Sequence, residues 1–102
     1  MEKTNEMDIV FKKRFQKKVS KLSLYLEKSF GQGSVKKFWS AFDHQISIIR
    51  KFPESGAPTK IPGVRSFIAG KHSRVYYKVF DNNIVIINMY DMRQDPSKNI
   101  YK

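Results

Sequence analysis

Arg74, Arg93, His72 and Tyr101 are the side chains of this sequence whose types suit chemistry on a phosphodiester. A base would take a 2′-hydroxyl proton, an acid would protonate the leaving 5′-oxygen, and guanidinium groups would neutralise the five-coordinate phosphate. His72 and Tyr101 are the acid–base candidates, and Arg74 and Arg93 the charge stabilisers. Arg65, Lys71 and Lys98 extend the same cationic edge, with Tyr90 beside them. The competing reading is that arginine and lysine stand at strand ends to keep a sheet edge soluble and unpaired. Other chemistries lack their residues. There is no G-x-S-x-G, no Walker phosphate loop, no H-E-x-x-H and no G-x-G-x-x-G after a strand. Cysteine is absent, which excludes thiol catalysis and thiolate metal sites; histidine occurs only twice, so a His-rich metal centre is not expected, nor is any metal or cofactor.

A β-hairpin must position these groups. The runs from Gly70 to Phe80 and from Ile84 to Arg93 are rich in Val, Ile, Tyr and Phe, and they flank Asp81-Asn82-Asn83, a cluster suited to a tight turn. Val75, Tyr77 and Val79 alternate with Arg74, Tyr76 and Lys78, the period of a strand with one buried face. Ile84 to Ile87 is apolar on both sides, as an interior strand would be. Arg74 opens the first strand and Arg93 closes the second. Antiparallel pairing is therefore expected to bring the two guanidinium groups together at one edge, with Lys71, His72 and Tyr90 nearby.

The rest of the chain supplies the support for that hairpin. Asp8 to Phe11 reads as a short edge strand. Phe11, Phe15, Val19, Leu22, Leu26 and Phe30 then recur at the spacing of one helix face. Lysines and Arg14 lie between them, either a solvated face or a basic surface for an acidic partner, with Lys17 and Lys21 as candidate contacts. Gly31 and Gly33 break the helix. Ser34 reads as an N-cap for a second helix with its stripe at Val35, Phe38, Trp39, Phe42, Ile46 and Ile49. Phe52-Pro53 ends it. Gly63 to Ile68 reads as a further strand, and Pro96 is expected to end the last ladder.

The expected architecture is α+β: an N-terminal antiparallel helical hairpin packed on one face of a small, mainly antiparallel sheet of three to four strands. Residues 1–7 read as a flexible leader and 8–102 as one domain. A chain of 102 residues suits one core. Its net charge of +11 favours a polyanionic partner, either nucleic acid or an acidic protein, over a membrane. No apolar run approaches the ~20 residues of a membrane span, and a cytoplasmic location is expected.

In this order and spacing, several pieces together resemble toxins of the RelE/ParE superfamily, the toxin half of bacterial type II toxin–antitoxin modules. They are Tyr25-Leu26-Glu27-Lys28-Ser29-Phe30-Gly31, Phe52-Pro53-Glu54-Ser55-Gly56, Gly63-Val64-Arg65, Lys71-His72-Ser73-Arg74-Val75-Tyr76-Tyr77-Lys78-Val79 and Asp91-Met92-Arg93-Gln94-Asp95-Pro96. The resemblance implies one of two activities. RelE-like members cut mRNA on the ribosome, and Arg74 and Arg93 match two arginines of their set, with Arg65 near a lysine of it. Phe67 stands where a second lysine would be expected, and Tyr101 lies further from Arg93 than the family's tyrosine. ParE-like members instead poison DNA gyrase without established catalytic residues. The helical hairpin, the Pro-x-x-Gly after it, Gly-Val-Arg and His-x-x-x-Tyr-Tyr look more like ParE. The resemblance also implies a cognate antitoxin whose C-terminal segment wraps the toxin, and contact with DNA only through that antitoxin. An acidic amphipathic segment would find a basic helix face and an exposed sheet edge here.

Overall fold

Two helices lie on one face of a five-stranded sheet in the computed structural model, which describes residues 7–93, 97 and 99–101. The elements run β1 (Asp8–Phe11), α1 (Lys13–Phe30), α2 (Gln32–Lys51), β2 (Ala57–Pro58), β3 (Arg65–Ala69), β4 (Ser73–Phe80) and β5 (Asn83–Asp91). The strand order is β1-β5-β4-β3-β2. β1 runs parallel to β5, and the other neighbours are antiparallel. This is the expected α+β arrangement with one strand more. The extra strand, β2, is two residues long and carries Pro58, so it has neither length nor alternation to be read from sequence. Its place at the sheet edge suits a residue without an N–H.

Several boundaries differ from the periodicity for physical reasons. Phe11 fits the helical spacing but belongs to β1, where it pairs with Ile86. The Lys12 N–H then donates to the Ile86 carbonyl at 2.9 Å, closing the ladder before α1 begins. Phe11 still joins the helix stripe, because its ring stacks on Phe15 at 5.6 Å. Between the helices the expected Gly-Gln-Gly link and Ser34 cap are replaced by one residue. Gly31, at φ 88°, reverses the chain alone, and its N–H reaches the Glu27 carbonyl. Gln32, Gly33 and Ser34 are therefore already helical. Phe30, last of the first stripe, is exposed rather than packed. Met7, read as leader, is buried in the core. Residues 1–6 and Pro96 lie outside the described residues.

Phe42 holds the layers together. Its ring lies 5.2–6.3 Å from those of Phe11, Phe15, Phe38, Trp39 and Phe67, which come from β1, both helices and β3. Ala69, Val75, Tyr77, Ile84, Ile86 and Met89 complete this core from the sheet. Burial of each large side chain contributes roughly 1.5–3 kcal/mol.

The β4–β5 hairpin turns at Asp81 and Asn82, both at φ 57°, between the paired Phe80 and Asn83. Such a two-residue turn matches the strand twist and favours these residue types. One correction concerns faces. β5 holds an extra residue, Ile87, where the register shifts between Tyr76 and Tyr77. Tyr76, expected to face outward from the core, is buried in a second cluster with Val64 and Tyr101 on the sheet's other face. Val79, expected inside, is exposed near the turn.

Tyr77 ties the sheet to the loop after α2. Its hydroxyl donates to the Pro53 carbonyl at 2.9 Å and accepts from the Gly56 N–H at 3.1 Å. Burial raises its pKa, so it remains a proton donor. A Cβ on Gly56 would run into the Tyr77 ring and hydroxyl. Tyr77→Phe leaves two loop groups without their partner and is expected to lower stability by about 1–3 kcal/mol in denaturant melts, with helix content unchanged.

Candidate functional site

The sheet divides the cationic residues that the sequence placed together. On the helix-covered side, the end of the helical hairpin, the β3–β4 turn and the end of β5 enclose a cleft of about 450 Å³. Leu22, Tyr25, Leu26, Phe30 and Phe38 form its apolar lining, and Lys37, Lys71, His72, Asp91 and Arg93 stand around them. Arg93 lies two residues beyond Asp91, the last residue of β5, so its pairing with Asp91 rather than the pleat sets its direction. Its Nε donates to Asp91 Oδ1 at 3.0 Å and its Nη2 to Oδ2 at 2.7 Å, while its backbone N–H also reaches Oδ1. This two-pronged hydrogen bonding holds the Asp91 pKa down at about 2, with His72 adding a smaller electrostatic contribution. His72 is exposed, and it is its backbone carbonyl that accepts a hydrogen bond, from the Met92 N–H at 2.7 Å.

Arg74 points to the opposite face. It pairs with Tyr90 across the strands, and its Nη1 donates to Ser66 Oγ at 2.9 Å. The expected meeting of Arg74 with Arg93 and His72 does not occur: Ser73 lines the cleft, so Arg74, next along β4, projects to the opposite side, while His72 precedes that strand and Arg93 lies beyond β5. Arg74 instead shares its face with Tyr76, Tyr90 and Tyr101. Tyr101 stacks on Tyr76 with centroids 4.2 Å apart, and Tyr90 meets both rings edge-on. Asn99 donates to the Tyr76 hydroxyl at 2.9 Å, and the Tyr101 carbonyl accepts from the Lys60 N–H. Tyr101 is thus a buried anchor for the C-terminal segment and does not join His72 as an acid–base pair.

Arg65, a candidate partner contact, lies at the far end of β3, where its Nη1 holds the Gly56 carbonyl at 2.9 Å. Lys17 and Lys21 are exposed on α1. Lys98 lies outside the described residues. Three residues escaped the sequence reading. Lys18 sits 3.5 Å above the Tyr90 ring and donates to the Met89 carbonyl, two contacts that favour its charge, while burial and, second, the nearby Arg14 lower its pKa. Asn88, beside the bulge, is fully buried, with its Oδ1 accepting from the Met89 N–H and its Nδ2 unpaired. Asp91 neutralises Arg93, and its spacing of two from that arginine at a strand end was the available signal. Among the described residues, no group of three His, Cys, Asp or Glu side chains could hold a metal ion. No helix of the described residues is long and apolar enough to cross a membrane.

The sequence model of the family described as ParE toxin of type II toxin-antitoxin system, parDE, matches residues 9–96. The fold is similar to a chain of the chromosomal ParDE toxin–antitoxin system from P. aeruginosa, with a TM-score of 0.68 at 14% identity over 88% of this chain and 100% of that one. It is also similar to a conserved hypothetical protein from Helicobacter pylori, with a TM-score of 0.55 at 18% identity over 83% of this chain and 93% of that one. At these identities the structural likeness shows the fold alone. No curated protein matches the sequence.

Two outcomes test this geometry. The Asp91–Arg93 pairing depresses a carboxylate pKa from 3.8 to about 2 on folding, so its stabilisation is full above the unfolded value and is lost as pH falls through the folded one. The stability difference between wild type and Asp91→Asn is therefore expected to be constant above about pH 5, to shrink through the interval between the two pKa values and to be lost below about pH 2 in acid titrations of thermal unfolding. Tyr101→Ala is expected to cost about 2 kcal/mol in denaturant melts through lost aromatic burial, leaving the helices intact.

Proposed function

The chain belongs to the ParE toxin family of type II toxin–antitoxin systems, and from that premise we propose that it arrests growth by binding and poisoning DNA gyrase, without bond-breaking chemistry of its own, until a cognate antitoxin neutralises it in the cytoplasm. The observation that carries the non-enzymatic reading is the sheet standing between Arg74 and Arg93. An arginine pair that stabilises one phosphate must converge on it. Here one guanidinium is bound to Ser66 and the other is paired by Asp91. The remaining acid–base candidates are also apart, with His72 at the cleft and Tyr101 stacked under Tyr76.

The cleft supports the antitoxin part of the proposal. An amphipathic acidic segment would lay its apolar side against Leu22, Leu26 and Phe38 and its carboxylates toward Lys37, Lys71 and His72. Tyr25 and Phe30, both about half or more exposed at 49% and 64%, are the apolar groups such a segment would cover. In this reading DNA reaches the pair of proteins through the antitoxin.

Expression of Arg74→Ala and Arg93→Ala variants provides the test. Both are expected to arrest growth and to trigger a DNA-damage response as wild type does, and a short acidic protein from the neighbouring reading frame is expected to restore growth. Cleavage of mRNA in translating extracts with supercoiling untouched would replace the gyrase reading by the ribosome-dependent endonuclease reading.

A further inference from the structure

The N-terminal half of α1 is a cationic surface that neither the fold nor the cleft uses. Lys13, Lys17 and Lys21 follow one another at intervals of four, with Arg14 adjoining them, and all four are exposed. From Lys12 to Leu26 the sequence contains no aspartate or glutamate. Among the described residues these four cations make no hydrogen bond or ion pair. Lys18, the neighbour on the sheet side, is already engaged by Tyr90 and Met89.

This charge is placed against the local electrostatics. Helix N-termini favour anions, yet the first turn of α1 has no acidic residue and carries Lys13 and Arg14 directly after Lys12. Like charges four apart on a helix also repel one another. Packing does not explain the arrangement, because the core side of α1 consists of Phe15, Val19, Leu22 and Leu26. A bound polyanion would relieve both penalties.

We propose that the lysine row Lys13-Lys17-Lys21, with Arg14, binds the phosphodiester backbone of double-helical DNA. The row spans about 12 Å along the helix. Each of its three lysines can neutralise one backbone phosphate, at about 0.9 of salt slope per contact. The surface has no apolar anchor between its cations. Interfaces between proteins are depleted of lysine and centred on apolar or aromatic groups, which places a protein partner at the cleft and leaves the lysine row to phosphate. This goes beyond the proposed function, where DNA is reached through the antitoxin alone, and it does not depend on which enzyme is poisoned.

The experiment measures binding of the purified full chain to a short duplex DNA of arbitrary sequence across a salt series. Wild type is expected to bind with a sequence-independent Kd of about 10⁻⁴–10⁻⁶ M and a linear dependence of log K on log salt. Lys13→Gln/Lys17→Gln/Lys21→Gln is expected to flatten that slope by about 2–3, and Lys36→Gln/Lys51→Gln/Lys60→Gln, of identical net charge, to leave it nearly unchanged. Circular dichroism of both variants checks that each remains folded. Equal losses in the two variants would reduce the effect to net charge and overturn the assignment. So would absence of DNA binding, preference for single-stranded RNA, or tighter binding of polyglutamate through the same three lysines. Because growth arrest is not the readout, these outcomes leave the toxin reading to be judged separately.

Discussion

Burial of the Phe42 ring is the constraint on which the arrangement rests. One aromatic side chain in the middle of α2 contacts rings from β1, α1 and β3. Phe11 and Phe15 lie well before Phe42 in the chain and Phe67 well after it, and they can meet its ring together only if both helices lie on the same side of the sheet. That places a thick aromatic layer under one face. It leaves the other face with a far smaller cluster, Val64, Tyr76 and Tyr101, which the C-terminal segment helps to close.

This asymmetry decides where charge can go. Groups on the helix side are confined to the cleft at the open end of the hairpin, where apolar side chains line the surface and cations ring it. Groups on the other face meet tyrosines, Ser66 and Asn88. The outer surface of α1 belongs to neither region and carries Lys13, Arg14, Lys17 and Lys21, all exposed. Three surfaces of different chemistry therefore occur on one small domain: an amphipathic cleft, an aromatic face and a lysine row. Strong net charge alone could not have distinguished them, because charge determines the class of partner and not its place of contact.

Much of the fold was legible because its signals are local. Helical spacing marked both stripes, and Asp81-Asn82 marked the turn through their tolerance of positive φ. Phe52-Pro53 marked the end of α2. The misses share another cause. Phe11 fits a helical period and a strand equally, and the ladder bond from Lys12 to Ile86 decided between them. Ile87 shifts the face of the residues beyond it, and a one-residue shift is invisible in a run that is apolar on both sides. The anchoring of Tyr101 depends on Asn99, Tyr76 and Lys60, three positions that no periodicity connects.

For the candidate site, residue type was readable and relative direction was not. The sequence by itself determined the helical hairpin, the antiparallel hairpin of β4 and β5, the excess of cations and the family pattern, because each is written in neighbouring residues or in composition. Only the tertiary structure decided that Arg74 and Arg93 lie on opposite sides of the sheet and that Tyr101 is an anchor. Those outcomes follow from strand pleat, a bulge and contacts between distant segments, which exist only once the chain has packed.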